Sequence, residues 1–173
     1  MWSSSTEMFL KEEQQVDPVA YRNGMARYAG HVQVVTTKHE GVARGVTVTA
    51  ACSVSDNPPS LLVCLNRSNP NNEIFLQSGC FALNTLAADH QMLASEFAGL
   101  SGAAGADRFA SGDWTTLSTG APVLSDALAV FDCRVTDVKP VSTHFVLFGE
   151  VVGLQLGKPN PALIYLDRRF RTL

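Results

Sequence analysis

The stretch VARGVTVTAACSVSDNPPSLLVCLNRS, residues 42–68, decides the fold. From Val42 to Ala51 it reads as one strand: Val46, Val48 and Ala50 point one way and Thr47 and Thr49 the other, the period of two that a strand requires. Pro58-Pro59 breaks the run, because proline has no N–H to give to a ladder. Ser60 to Leu65 is apolar on both faces, as a buried strand would be.

Upstream, Asp17-Pro18 reads as an N-cap followed by proline at the first helical position. Tyr21, Met25, Tyr28 and Ala29 then form one apolar stripe, and Gly30 supplies the stop. Val32 to Thr37 is a β-branched strand, and Glu40-Gly41 a turn. Residues 1–16 read as an N-terminal arm and 17–173 as a single domain. Downstream, Asn69-Pro70-Asn71-Asn72 is a turn in which Asn71 or Asn72 caps a short helix, Glu73 to Ser78, stopped by Gly79. Phe81 to Leu86 is a strand, and Asp89 caps a helix in which Leu93 and Phe97 stack before Gly99. Leu100 to Gly120 is irregular and rich in Gly, Ala and Ser, a length of loop that is usually functional or at a partner surface. Ala127, Ala129, Phe131, Cys133 and Val135 alternate along a long strand. His144, Val146, Phe148, Glu150, Val152 and Leu154 share one face of the next, and Ala162 to Leu166 is the last. So many strands joined by short turns, with only short helices between, exclude a doubly wound sheet. They favour antiparallel pairing and closure into a small barrel.

Of 173 residues 46% are apolar and 17% charged, which excludes disorder and a coiled coil. Thirteen Lys and Arg against sixteen Asp and Glu leave a net charge of -3, so nucleic acid is not an expected partner. No window approaches the ~20 apolar residues of a membrane span. Met1 to Gln15 lacks the basic and apolar regions of a leader, and the expected setting is cytoplasmic. Cys52, Cys64, Cys80 and Cys133 lack C-x-x-C spacing and read as free thiols. No metal site is expected, because His31, His39, His90 and His144 have no ligand partner nearby in sequence.

The common enzyme motifs are missing. Gly99, Gly102 and Gly105 have the wrong spacing for a dinucleotide fingerprint and follow a helix instead of a strand. There is no phosphate-binding G-x-x-x-x-G-K-[ST] and no G-x-S-x-G. What remains is Arg44-Gly45 opening a strand with hydroxyls at Thr47 and Thr49, continued by Cys52-Ser53. A second strand ends in Asn66-Arg67-Ser68 at a helix start, where N–H groups, a hydroxyl and a guanidinium suit an anion. The plainer reading stands beside it: Arg67 pairs with a surface carboxylate and the asparagines only cap the helix.

The ordered series Arg44-Gly45-Val46-Thr47-Val48-Thr49-Ala50-Ala51-Cys52-Ser53, Pro58-Pro59, Asn66-Arg67-Ser68, Gly79 to Asn84, Glu96-Phe97-Ala98-Gly99, Asp107-Arg108-Phe109, Gly120 to Leu124 and Arg169-Phe170 resembles the flavin reductase family, over roughly residues 18–173. The resemblance implies a mainly β fold, a six-stranded antiparallel split barrel that dimerises with flavin near the interface. It implies hydride transfer from NADH or NADPH to FMN or FAD, with reduced flavin passed to a partner oxygenase. By resemblance, Arg44, Gly45, Val46, Thr47, Val48, Thr49, Ala50, Cys52, Ser53, Leu65, Asn66, Arg67, Ser68, Asn72, Phe97, His144, Arg169 and Phe170 are the cofactor-site candidates, with His144 and Phe170 bordering the nicotinamide face. One departure stands out: Ser142-Thr143-His144 keeps the family's histidine and loses the acidic residue before it. Two further readings remain open, a flavin-dependent corrinoid reductase and a non-catalytic flavin- or haem-binding barrel.

Overall fold

A computed structural model describes residues 15–173, so most of the expected N-terminal arm lies outside the described residues. Helix α1 (Pro18–Ala26) leads into β1 (Gly30–His31), β2 (Gln33–His39) and β3 (Val42–Val48). Next come β4 (Ala51–Asp56), β5 (Pro59–Asn66), α2 (Ile74–Ser78), β6 (Cys80–Thr85) and α3 (Gln91–Phe97). Short β7 (Trp114–Thr116) and β8 (Pro122–Leu124) precede the long β9 (Ala129–Val141) and β10 (His144–Leu156), and β11 (Leu163–Leu166) and β12 (Arg169–Thr172) end the chain. The fold is mainly β, as expected.

Seven strands pair in the order β3-β2-β6-β9-β10-β5-β4, each pair antiparallel. The expectation was six strands, with Val42 to Ala51 as one of them. That run is broken after Val48, and its two halves form opposite edges of the sheet. The chain crosses at Thr49-Ala50, where Ala51 N–H donates to Thr49 O (3.1 Å) and Cys64 N–H to Ala50 O (2.9 Å). A single bent segment therefore joins the two edges covalently where no ladder does. At the other end of β3, Glu40 and Gly41 both take positive φ (47° and 82°) and close a two-residue turn of the primed kind that matches strand twist.

Alternation along β2 sends Val34 to one core and Val35 to the other. One face buries Val63, Leu65, Phe81 and Leu147, while the opposite face packs Val32 and Ala82 under α3, β8 and Leu163. The third sheet, β1-β11-β12, contains a strand the sequence did not announce: β12 returns on β11 through Asp167 and Arg168, both at positive φ (50° and 59°).

Several local expectations are corrected. Asp17 does cap α1, accepting from Ala20 N–H at 2.9 Å, but the helix ends at Ala26 and buries none of its residues. Its stripe, with Tyr21, Met25 and Tyr28 all exposed, faces away from the core. Asn69 caps the turn Pro70–Asn72, accepting from Asn71 N–H, in place of Asn71 or Asn72. His90 Nδ1, not Asp89, accepts from the N–H of Ala87 ahead of α3. The single face expected for His144 to Leu154 holds from His144 to Glu150, where β10 pairs with β5 in unbroken register, and is lost beyond it, because Val152 is the extra residue of a bulge between Val151 and Gly153. The other register shift, opposite Phe148 and Gly149, puts its extra residue, Thr136, on β9. A one-residue slip reverses which side the following residues face. Asp132, placed by alternation among the polar neighbours, is fully buried, with its carboxylate accepting from Thr119 N–H (2.7 Å) and Thr119 Oγ1 (2.5 Å).

Candidate functional site

Beyond the Cys64–Ala50 bond the sheet edges have no ladder between them among the described residues. β5 runs on to Leu65 and Asn66 past the last β4 residue paired with it, and β3 runs back toward Arg44 with β2 as its only strand neighbour among the described residues. This is a wedge between two strand edges. At about 3.4 Å per residue, Arg44 and Val48 stand roughly 14 Å apart along it. Asn72 spans the wedge at the Arg44 end: its Nδ2 donates to Asn66 O (3.0 Å) and its Oδ1 accepts from Arg44 Nη2 (3.4 Å).

Arg44 has no carboxylate within 4.0 Å among the described residues, and its Nε is buried with no partner. Burial, then the Arg108 guanidinium nearby, pushes its pKa below the usual arginine value. A buried N–H left unpaired on a cation is unfavourable until an anion reaches it. That donor set fits a phosphate monoester.

Next to it, Asn66 Oδ1 accepts from Ser68 N–H (2.9 Å) and Ser68 Oγ (2.8 Å), which fixes the turn leaving β5. Among the described residues Arg67 pairs with no carboxylate. Its N–H bonds Thr143 O (3.0 Å), its Nη1 bonds Ser142 O (3.2 Å), and its guanidinium lies 5.3 Å from the centre of the Phe145 ring. His144 is the cross-strand neighbour of Asn66, with Nδ1 2.9 Å from Thr143 Oγ1. A cavity of about 350 Å³ opens here between Asn66, Arg67, Ser68, Ser142 and Thr143.

At the other end of β3, Thr47, Val48 and Thr49 meet Tyr165, Arg169 and Phe170 around a cavity of about 330 Å³. The structure thus brings Thr47 and Thr49 together with the C-terminal Arg169-Phe170. The Thr47 hydroxyl is already committed, donating to Ala94 O of α3 at 2.7 Å. Cys52 and Ser53 line a different cavity of about 550 Å³, with Gln33, Leu83 and Phe131, on the far side of the bend. The side chains of Leu65 and Phe97, each 1% exposed, belong to the two cores and line neither of the cavities at the ends of the wedge. Phe97 explains Gly45 instead: a Cβ there would lie 2.4 Å from the Phe97 ring. Arg108, near Arg44, and Tyr165, lining the cavity at the other end, were not among the candidates. Arg108 had a signal in the Asp107-Arg108-Phe109 motif, whereas Tyr165 had none.

Residues 25–173 match the family model described as a flavin reductase like domain. The chain belongs to this family. It is 44% identical to the FMN reductase (NADH) RutF of Agrobacterium fabrum over 98% of this chain and 95% of that protein. Among solved structures it resembles the NADH:FAD oxidoreductase SgcE6 of Streptomyces globisporus, with 27% identity, 91% of this chain and 96% of that one, and a TM-score of 0.83. It also resembles BorF, the flavin reductase component of a bacterial two-component tryptophan halogenase, with 28% identity, 91% and 98% coverage and a TM-score of 0.83. These relatives carry flavin reductase names, and the corrinoid reading finds no support among them.

The cysteines of this family member divide by burial. Burial, with Asp132 beside it, pushes the Cys133 thiol up to about 12, and burial followed by Cys52 raises Cys64. At pH 8 Cys133 is therefore protonated and shielded, while Cys52 is exposed. Brief alkylation of the native protein followed by peptide mass mapping is expected to label Cys52 well ahead of Cys64, leaving Cys80 and Cys133 unlabelled. Labelling of Cys133 at the rate of Cys52 would contradict this burial.

Proposed function

We propose that this chain is an NAD(P)H-dependent flavin oxidoreductase that reduces FMN or FAD with hydride from NADH or NADPH and delivers reduced flavin, or its electrons, to a partner. The observation that carries the reading is Arg44, a half-buried arginine with an unpartnered N–H at one end of a wedge whose other end gathers Thr47, Thr49, Arg169 and Phe170. A flavin bound there would accept hydride at its ring and pass electrons onward. The protein's part is positioning, which accounts for a site without nucleophile or acid–base pair.

In this reading Arg44 and the Asn66-Arg67-Ser68 turn take the phosphate and ribityl oxygens. Backbone groups of residues 46–50, with the Thr49 hydroxyl, border the ring edge, where donors favour the anionic reduced form. Phe170 and His144 flank the nicotinamide, and Arg169 meets its pyrophosphate. The segment 42–56, bent at Thr49-Ala50, serves as the closing strand of a six-stranded split barrel within a domain of residues 17–173. The unpartnered face of α1 supports a homodimer, since Val16, Val19, Tyr21, Met25 and Tyr28 are all exposed on and beside it. The name of BorF, one component of a two-component halogenase, supports a partner enzyme, which the resemblance would make an oxygenase, and the composition supports a cytoplasmic setting; among the described residues no helix is long and apolar enough to cross a membrane.

Anaerobic addition of NADH to the protein with FMN tests the function: bleaching of the oxidised flavin at a rate proportional to protein is expected. No bleaching with FMN or FAD, with NADH or NADPH, would overturn the reading. His144→Ala is expected to slow that reduction while flavin affinity stays within about twofold, as for a group that touches the nicotinamide and not the flavin. A wild-type rate across pH 6 to 8 would make His144 a structural residue.

A further inference from the structure

Asn72 is only 2% exposed, and both ends of its amide are used, one on the Asn66 carbonyl and one on Arg44. The orientation is fixed by chemistry. Turning the amide over would set its NH₂ against guanidinium donors and its oxygen against a carbonyl, two repulsions in place of two bonds. The consequence lies in charge. Arg44 is half-buried, with Arg108 adding like charge, and surroundings of this kind ordinarily call for a carboxylate partner. Asn72 holds the guanidinium in place without neutralising it. Its long 3.4 Å bond also leaves Arg44 Nε unpartnered.

We propose that Asn72 is a positioning residue that keeps Arg44 fixed but uncompensated, so that the site selects flavins bearing a terminal phosphate over riboflavin. This rests on the flavin reductase reading and adds to it what discriminates among flavins. Aspartate at the same position would fill the role of the phosphate permanently: it would satisfy Arg44 and repel a phosphate dianion. A neutral amide leaves that place to the ligand.

The test uses the full chain and oxidised FMN and riboflavin, with dissociation constants from quenching of flavin fluorescence and thermal melts as a folding control. Wild type is expected to bind FMN more tightly than riboflavin. Asn72→Asp is expected to weaken FMN by about tenfold or more and to abolish the preference over riboflavin, as when a charge-assisted bond to phosphate is lost. Should that variant melt early, Asn72→Ser and Arg44→Lys form a cycle. If Asn72 acts through Arg44, the double variant loses no more FMN affinity than Arg44→Lys alone. Additive losses, equal weakening of FMN and riboflavin, or an unchanged preference in well-folded variants would each overturn the proposal. A wild-type protein that binds neither flavin would instead overturn the functional reading on which it rests.

Discussion

Phe97→Ala is expected to destabilise the protein by about 3–5 kcal/mol, the cost typical of removing a buried aromatic ring. Phe97 is 1% exposed and meets Phe109 and Trp114 edge-on, with centroids at 5.0 and 5.5 Å. Phe109 and Trp114 in turn meet at 5.0 Å, so the three rings close on one another and removing one takes a neighbour from each of the other two. Edge-to-face pairs add roughly 0.5–1.5 kcal/mol each beyond burial, which places this site toward the upper end of the range. For a chain of this length each kcal/mol lowers Tm by about 2–4 °C, so a fall of roughly 10 °C or more should appear in a melt followed by circular dichroism. A fall of only a degree or two would mean that the ring is not packed as described. Flavin binding should weaken as well, because Phe97 presses on Gly45, next to Arg44 on β3. The cavity left behind gives that strand room to shift.

Arg44→Ala is expected to act in the opposite pattern, large on ligand and small on fold. A hydrogen bond to a charged group contributes about 1.5–3 kcal/mol, which converts to a loss of FMN affinity of roughly ten- to a hundredfold. Stability should hold or rise, because the substitution removes a partly buried cation with no carboxylate within 4.0 Å among the described residues. Titration of FMN fluorescence against the variant, with a melt alongside, checks both halves. An unchanged dissociation constant would remove Arg44 from the phosphate site. Arg67→Ala is the natural comparison: its guanidinium is exposed and already engaged by Ser142 O and the Phe145 ring, so its loss should weigh less.

The sequence carried β2, β5 and β6 as strands, the Asp17 cap and the Glu40-Gly41 turn, because each depends on neighbours in the chain; β5, read as apolar on both faces, instead alternates between buried and half-buried residues. Arg44 and Asn66 at one end of the wedge, and Thr47, Thr49 and Phe170 at the other, entered the candidate set through the family resemblance. The failures share a physical origin in contacts distant along the chain. Nothing local in Val48-Thr49-Ala50 announces a bend; Cys64 on another strand holds it. The bulge at Val152 shows only in the register of β10 against β9, and Gly149 lies under Phe81, where a Cβ would come within 2.7 Å of the ring. Phe97 entered the candidate set by motif, and its burial depends on Phe109 and Trp114 arriving from the irregular segment. Asn72 was read as a cap because caps are common at such turns, whereas its true partners come from β3 and β5.

The strand order also dictates how the chain must assemble. β10 lies between β9, its immediate predecessor, and β5, from which it is separated by nearly half the chain. The β9–β10 hairpin closes through Ser142 at positive φ (48°) and can form within about 1–10 μs as a local event. Its pairing with β5 must wait for a long loop to close, and topologies dominated by such distant pairings fold in about milliseconds to seconds. Until then β5 carries Leu61 to Leu65, an apolar run with a bare edge, which is the kind of segment that pairs with another chain if its own partner is late. The wedge proposed for the flavin is therefore bordered by the strand whose docking completes the sheet, and a flavin that bound only the completed sheet would favour the folded chain over its vulnerable precursor.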